Sequence, residues 1–169
     1  RERGLENKWD IFQKLSEDVD RAHITHEQFV ADFAREIGVP ERTVWPEIRA
    51  RFLLNHGLMD IVVELKKRYK VGLLSNFTHP WLSELLREYD LRKHFDEVLI
   101  SSQEKMIKPD PRFFQKMLGL LGAEAAESVF IDDKQTNVDG AKNLGIHALL
   151  FTTNKQFRND LRGIINSDK

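Results

Sequence analysis

Three short segments of the sequence place a hydroxyl group, an ammonium group and two carboxylates at or near the ends of apolar runs. These segments are Ser75-Asn76, Lys108-Pro109-Asp110-Pro111 and Asp132-Asp133. Two adjacent carboxylates at the end of a buried strand repel each other, and a hard divalent cation such as Mg²⁺ is the natural stabiliser of such a pair. Ser75 and Asn76 can donate to phosphoryl oxygens, and the ammonium group of Lys108 can neutralise a phosphate. The combination favours phosphoryl transfer over acyl transfer.

The elements that position these residues follow from the periodicity of the sequence after residue 57. Short apolar runs alternate there with amphipathic helices, and the predicted strands lie at about 71–74, 97–101, 129–131 and 148–151. Four such repeats predict an α/β fold with a doubly wound parallel sheet and helices on both faces. Because open parallel sheets bind ligands beyond the carboxyl ends of their strands, we expect the polar segments on one rim.

The first third of the chain predicts helices only. Apolar residues recur at steps of three and four between residues 9 and 19, and a capping-box spacing at 25–28 begins a second helix. A third helix is predicted over about 43–55, with Pro46 in its first turn, where proline is tolerated. We therefore divide the chain into an all-helical region and an α/β core, residues 1–56 and 57–169.

Composition limits the classes of partner. The 169 residues include 26 Lys and Arg against 27 Asp and Glu, which gives a formal net charge of −1, and there is no Cys. Without a basic run or a long apolar segment, we expect no nucleic-acid partner, no membrane partner and a cytoplasmic location. The 6 histidines show no metal-ligand spacing. His79 follows Ser75 closely, so a substrate contact by His79 is a secondary hypothesis.

The polar segments and their surroundings resemble three motifs of the haloacid dehalogenase-like (HAD) hydrolases. Leu73-Leu74-Ser75-Asn76 is similar to the second motif of this family, the segment from Lys108 to Phe114 to the third, and the segment from Val129 to Ala141 to the fourth. The intervals between the motifs also suit the family. The helices of residues 5–56 resemble its small helical cap, so the resemblance covers nearly all of the chain and implies a HAD-like, Rossmann-type core.

The resemblance implies a phosphatase that acts on a small phosphorylated metabolite through an aspartyl-phosphate. It implies that Ser75 and Asn76 hold the transferring phosphoryl group, and that Lys108 pairs with this group and with the nucleophile. The paired acids favour this phosphatase branch over the metal-free dehalogenases of the family.

The resemblance also implies a magnesium cofactor. Asp133 would bind Mg²⁺ directly, whereas Asp132 would act mainly through metal-bound water. Asn137 would support the loop that carries both aspartates.

The sequence departs from the family pattern at the first motif, an apolar strand ending in the nucleophilic Asp. Asp10, Asp18 and Asp20 lie in a charged helical pattern without a preceding strand. The absent strand would lie in the middle of the sheet, between the strands that end in Ser75 and Asp132. An upstream segment, a strand from another chain or the closing of the two neighbours on each other would fill this gap, and we favour an upstream segment. We therefore expect the chain as given to be inactive.

Two further points bear on function. Lys105 stands where the family often has Gly, in the loop that leads to Lys108. A response-regulator receiver domain also uses an acidic pair, a hydroxyl group and a lysine, but its acidic pair comes first, whereas Asp132-Asp133 come last here. The alternative that stays open is a catalytically silent relative that binds a phosphorylated ligand or a protein partner. The oligomeric state also stays open, with a strand-exchanged dimer as one option.

Overall fold

The computed structural model describes the backbone of residues 3–167 and the side chains of residues 10–165. Its helices are α1 Arg3–Asp20, α2 His26–Ile37, α3 Glu41–Arg49, α4 His56–Leu65, α5 His79–Glu88, α6 Ser101–Glu104, α7 Pro111–Leu121, α8 Gln135–Lys142 and α9 Asn154–Ser167. Its strands are β1 Gly72–Ser75, β2 Glu97–Ile100, β3 Val129–Asp132 and β4 His147–Leu150. None of these helices combines the length and the apolar character that a membrane crossing needs.

The four strands form two separate pairs. β1 is paired with β2, and β3 is paired with β4. β3 and β4 run parallel, with Val129 opposite His147 and Asp132 opposite Leu150. Within residues 3–167 no strand joins the two pairs, so β1 and β3 do not close on each other. This is the arrangement expected of a parallel sheet without its central strand.

Residues 55–74, 93–98 and those from 108 onward form one compact unit, which we call unit 2. Successive residues of a strand point to opposite sides of the sheet, and helices pack against the side chains on both faces of the β3–β4 pair. Phe130 packs in a cluster with side chains of α7 and α8, whereas the next residue, Ile131, packs in a cluster with side chains of α4 and α9. The predicted α/β fold with helices on both faces is confirmed.

Residues up to 54, together with 75–92 and 99–107, form the other compact unit, which we call unit 1. Its core is a cluster from α1, α2, α3 and α5 that includes Phe12, Val19, Phe29, Phe33, Val44, Ile48 and Trp81. Aromatic rings dominate this core, and the Trp81 ring lies 5.5 Å from Phe29 and 4.6 Å from Trp45. The division into a helical cap and a core at residue 56 stays a prediction, and residues 1 and 2 lie outside the described range.

The third helix differs from its prediction. α3 begins at Glu41 and ends at Arg49, so Pro46 lies inside the helix and the placement of Pro46 in the first turn is wrong. The reason is that Pro40, with a φ of −63°, already has a dihedral angle suited to the start of a helix. Because Pro46 has no N–H, the carbonyl of Arg42 loses its helical partner, a weakness consistent with the shortness of this helix.

Candidate active site

The central feature of unit 2 is a buried ion pair between Lys108 and Asp132. The Nζ of Lys108 lies 2.7 Å from Oδ2 of Asp132 and donates a second hydrogen bond, of 2.8 Å, to the main-chain carbonyl of Leu74. The two side chains are only 10% and 6% exposed. The ammonium group also lies 5.6 Å from the centre of the Phe130 ring, within cation–π range. Because both groups are buried, removing either one would leave the other as an uncompensated charge in the protein interior.

The second oxygen of the Asp132 carboxylate is also occupied. Oδ1 accepts hydrogen bonds of 2.9 Å from the side-chain amide of Asn137 and 2.9 Å from the backbone N–H of Lys134. Burial raises the pKa of Asp132, but the charge of Lys108 and these hydrogen bonds outweigh burial and hold the pKa below its ordinary value. Asp132 is therefore a carboxylate at neutral pH, with hydrogen bonds to both oxygens.

The start of α8 explains how Asn137 reaches Asp132. β3 ends at Asp132, and the chain turns through residues 133 and 134 before α8 begins at Gln135. The Lys134 N–H bond to the carboxylate two residues earlier is the local turn that Asp favours. Asn137 then lies one turn into the helix on its buried side, and it is 4% exposed.

The loop that carries Lys108 is held by close packing against α8. The Lys108–Pro109 peptide bond is cis. A Cβ atom on Gly140 of α8 would lie 2.6 Å from the Cβ of Pro109, so only glycine lets the helix come this close. Sequence reasoning gave Gly140 no role, although a glycine inside a predicted helix is a signal of close packing.

Asp133, the next residue in the chain, lies in a different environment from the buried Asp132. Its side chain is exposed, and it makes no hydrogen bond or ion pair with the residues that the structure describes. Two neighbouring carboxylates with one of them uncommitted are a donor set that suits Mg²⁺, which prefers oxygen ligands and keeps several waters. The described residues contain no group of three or more acidic or histidine side chains placed to hold a metal. Water or further ligands would therefore complete the coordination shell.

Ser75 and Asn76 belong to unit 1, where Ser75 is the last residue of β1. The loop after them is held by Ser101, which is fully buried at 0% exposure. Its Oγ accepts a 2.9 Å hydrogen bond from the N–H of Phe77 and donates one of 3.2 Å to the carbonyl of the same residue. Sequence reasoning missed this positioning role, for which the only signal is a serine directly after an apolar strand.

Of the predicted site residues, the structure brings Lys108, Asp132 and Asn137 into direct contact and leaves Asp133 exposed beside them in the chain. Ser75 directly follows Leu74, whose carbonyl accepts from Lys108. The roles assigned to these side chains stay predictions. Chemically, the cluster offers a fixed ammonium group, a buried carboxylate and an uncommitted carboxylate.

Comparison with known proteins identifies the family to which this chain is similar. The sequence profile of the haloacid dehalogenase-like hydrolases matches residues 11–151. Acyl-CoA dehydrogenase family member 10 of Mus musculus is 30% identical over 138 residues, which cover 76% of this chain and 13% of that protein. Sesquiterpene phosphatase astK of Aspergillus oryzae is 29% identical over 160 residues, covering 88% of this chain and 78% of that protein.

The fold is also similar to that of a HAD family enzyme from Bacteroides thetaiotaomicron, solved in complex with magnesium and inorganic phosphate. The TM-score is 0.73 at 24% identity, and the match covers 90% of this chain and 86% of that enzyme. The chain spans 13%, 18% and 34% of the lengths of three curated relatives that it matches. Because the family profile matches most of the sequence, the chain belongs to the haloacid dehalogenase-like hydrolases.

Proposed function

We propose that this protein is a magnesium-dependent phosphomonoester hydrolase that acts on a small phosphorylated metabolite. The observation that carries the proposal is the buried Lys108–Asp132 pair beside the exposed and uncommitted Asp133. A preorganised ammonium group and an available carboxylate at the end of a strand suit a phosphoryl group and its counter-ion better than they suit an acyl group. Phosphatases among the relatives of this chain support the same conclusion.

In this proposal each polar residue has one task. Ser75 and Asn76 donate hydrogen bonds to the oxygens of the transferring phosphoryl group. Lys108 stabilises the negative charge on this group, and Asp132 holds the lysine in position through its hydrogen bond. Asn137 acts through Asp132 as a positioning residue. Its amide donates to Oδ1 of Asp132, whereas Lys108 binds the other oxygen, Oδ2.

Asp133 and Asp132 would hold the Mg²⁺ ion, the first directly and the second through metal-bound water. When bound, Mg²⁺ supplies charge neutralisation of the phosphoryl oxygens. The donor chemistry fits, because both groups are hard oxygen ligands and Asp132 is ionised at neutral pH.

Among residues 3–167 no strand that ends in Asp precedes Ser75, so the described part of the chain offers no candidate for the nucleophile of an aspartyl-phosphate mechanism. We therefore propose that the chain as given binds phosphate and magnesium without turnover. A strand that ends in Asp and pairs with β1 and β3 would supply the attacking carboxylate.

The test is hydrolysis of p-nitrophenyl phosphate with and without Mg²⁺. We would compare the chain as given, the chain extended upstream by a strand ending in Asp, and the extended chain with Lys108→Ala. The expected result is turnover by the extended chain only, abolished by EDTA and strongly reduced by the substitution. Turnover that is indifferent to EDTA and to Lys108 would contradict the proposal.

A second candidate function is binding without catalysis. It is favoured by one observation, that none of the aspartates ahead of Ser75 in this sequence follows an apolar run typical of a strand. A phosphorylated ligand or protein partner would then stabilise the protein without being converted. Thermal stabilisation by phosphate in the extended chain, with no product released, would favour this function over hydrolysis.

A further inference from the structure

A cavity of about 370 Å³ lies between α4 and α9 in unit 2, within the size range of pockets for small ligands. Its floor is apolar and comes from both helices, from Ile61 and Leu65 of α4 and from Leu161 and Ile165 of α9. On each helix the two residues are four positions apart, so they lie on one face. All four pack in one cluster with the buried Phe157, which makes the floor continuous.

The rim of this cavity is basic. Two guanidinium groups stand on α9, at Arg158 and Arg162, and two further cations, Lys67 and Arg68, follow the end of α4. Among the described lining residues the single acid is Glu64, whose carboxylate lies 3.6 Å from Arg158. Both side chains of this pair are in contact with solvent, and exposed ion pairs contribute little. The rim therefore carries an excess of positive charge.

Three of the four cations have no competing partner in the part of the chain that the structure describes. The side chains of Lys67, Arg68 and Arg162 are exposed, and they form no hydrogen bond or ion pair with another described residue. An anionic group at the rim would form charge-assisted hydrogen bonds with them, and a guanidinium group can bind a carboxylate through two parallel bonds. The rim thus suits an anion rather than a cation or a neutral group.

The floor favours an alkyl chain as the remainder of the ligand. Apart from the hydroxyl group of Tyr69, the described lining residues carry no neutral group that forms hydrogen bonds. A sugar or a nucleobase would lose hydrogen bonds to water that this floor cannot replace, whereas an alkyl chain would only exchange water for apolar side chains. Tyr69 is 47% exposed and adds aromatic surface for such a chain to cover.

The cavity is separate from the charged cluster of unit 2. Lys67 and Arg68 come before the amino end of β1, and α9 packs back across the strands from the carboxyl end of β4. Asp132, in contrast, stands at the carboxyl end of β3, and neither Asp132 nor Lys108 lines the cavity. A ligand between α4 and α9 would therefore leave the ion pair accessible to phosphate.

We propose that this cavity is a binding site for an anionic alkyl amphiphile, such as a fatty carboxylate. The alkyl chain lies on the floor between α4 and α9, and the head group is bound by Arg162 and the neighbouring cations of the rim. A volume in the range of small-molecule pockets favours a single chain over the face of a protein helix. The inference is independent of the proposed function, because no step of phosphate hydrolysis uses these residues.

The test is isothermal titration calorimetry with monomeric decanoate at neutral pH. Hexanoate tests the chain, and decyltrimethylammonium has the same tail with the opposite charge. We expect decanoate to bind at one site and hexanoate to bind at least about tenfold more weakly, since each buried methylene adds to the affinity. The cationic amphiphile should not bind. Intermolecular NMR contacts from the alkyl chain to the methyl groups of Leu65 and Ile165 would locate the site.

Two charge reversals on α9 assign the effect to the rim. Arg162→Glu should raise the Kd of decanoate at least about tenfold, because it removes a charge-assisted hydrogen bond and adds repulsion. Lys155→Glu is the matched control. Lys155 is exposed on the same helix and does not line the cavity, so the same change in net charge should leave the Kd within about twofold.

A substitution in the floor tests the contribution of the alkyl chain. Ile165→Gln should reduce the difference in affinity between decanoate and hexanoate, because it places a polar group beneath the chain. Circular dichroism of each variant confirms that the protein remains folded. An equal affinity for the two carboxylates in the native protein would overturn the proposal, and so would a Kd for decanoate that Arg162→Glu leaves unchanged.

Other occupants of this surface would give different results. If decanoate does not bind while vesicles of phosphatidylserine bind in an Arg162-dependent way, the surface contacts membranes and the proposal is wrong. If decanoate does not bind while Arg162→Glu abolishes self-association in sedimentation velocity, the surface joins two copies of the chain and the proposal is also wrong. Because decanoate carries no phosphate, none of these outcomes depends on whether the protein hydrolyses phosphate esters.

Discussion

Unit 1 and unit 2 hold their buried polar side chains in opposite ways. In unit 2 the polar groups are charged and satisfy one another, as Lys108 and Asp132 do. In unit 1 they are the hydroxyl groups of Thr78 and Ser101, which hydrogen-bond with the ring of His26 and the backbone of Phe77. A buried charge needs an opposite charge beside it, whereas a buried hydroxyl group needs only a hydrogen-bond partner. The comparison indicates that the interior of unit 2 depends on a charge pair, whereas the interior of unit 1 depends on neutral hydrogen bonds.

The largest expected effect comes from removing the buried cation. Lys108→Ala leaves the Asp132 carboxylate buried without its charge partner, and breaking a buried pair in this way costs about 3–5 kcal/mol. Urea denaturation followed by circular dichroism measures the loss. Replacing both residues with Lys108→Met and Asp132→Leu should recover much of it. A double variant as unstable as the sum of the two single variants would show that the pair is not coupled.

Substitution of the exposed Asp133 should affect activity rather than stability. Asp133→Asn should leave the free energy of unfolding within about 0.5 kcal/mol, as is usual for a surface substitution. In the extended chain it should lower magnesium-dependent hydrolysis by on the order of 10²–10³, the scale of losing one preorganised electrostatic partner. Steady-state kinetics at saturating Mg²⁺ tests this. Asp160→Asn, at an exposed aspartate of α9, is the control and should change neither quantity.

The packing of α8 against Pro109 can be tested with two glycines of unit 2. Gly140→Ala forces a Cβ to within 2.6 Å of the Pro109 ring and should destabilise the protein by about 1–3 kcal/mol. Gly119→Ala, in α7, meets no atom within 4 Å and should stabilise the protein by up to about 1 kcal/mol through helix propensity. Thermal unfolding distinguishes them, and equal effects at the two sites would contradict the close approach.

Acid should destabilise the protein less than Lys108→Ala does. Protonated Asp132 loses its charge but keeps its hydrogen bonds from Asn137 and Lys134. The pKa of Asp132 is lowered in the folded protein, so its contribution to stability is complete above its ordinary value of 3.8 and is lost as pH falls through the lower, folded value. Urea titrations between pH 5 and pH 2 measure this slope. Asp132→Asn should show a shallower slope than the native chain, and an identical slope would show that another carboxyl group is responsible.

The smallest effect concerns Lys105 in unit 1. This residue adopts φ 56° and ψ 31° after the short helix α6, a left-handed conformation that costs about 1–2 kcal/mol for a residue with a side chain. Lys105→Gly removes this strain but adds about 0.5–1 kcal/mol of backbone entropy to the unfolded chain, so a net gain of up to about 1 kcal/mol is expected. Lys14→Gly, within α1, is the control and should lose about 1 kcal/mol.

The fold and the charged cluster were predictable because their signals are local. Each strand is a short apolar run, Asp132 ends β3, Asn137 lies in the first turn of the helix that follows, and Lys108 stands in a motif just before α7. The departure at Lys105 was also visible, and the left-handed backbone explains why a glycine suits that position.

The contact between His26 and Thr78 and the supporting contact of Ser101 were not predictable for the opposite reason. His26 and Thr78 are 52 residues apart, and Ser101 and Phe77 are 24 apart, so no spacing rule connects them. Their side chains are neutral and common, and only the packing of unit 1 brings them together. The interior position of Pro46 was missed because the start of α3 depends on Pro40 rather than on the apolar periodicity.

The hydrogen bond from Lys108 to Leu74 has one more consequence. Its acceptor is a main-chain oxygen, so no side-chain substitution at position 74 deletes it. A scan that changes every residue in turn would register Leu74 as an apolar packing position and overlook its contact with the lysine. Replacing the amide after Leu74 with an ester, which weakens that carbonyl as an acceptor, would reveal the contact directly. The side chains at this end of β1 can therefore change while the anchorage of the ammonium group is retained.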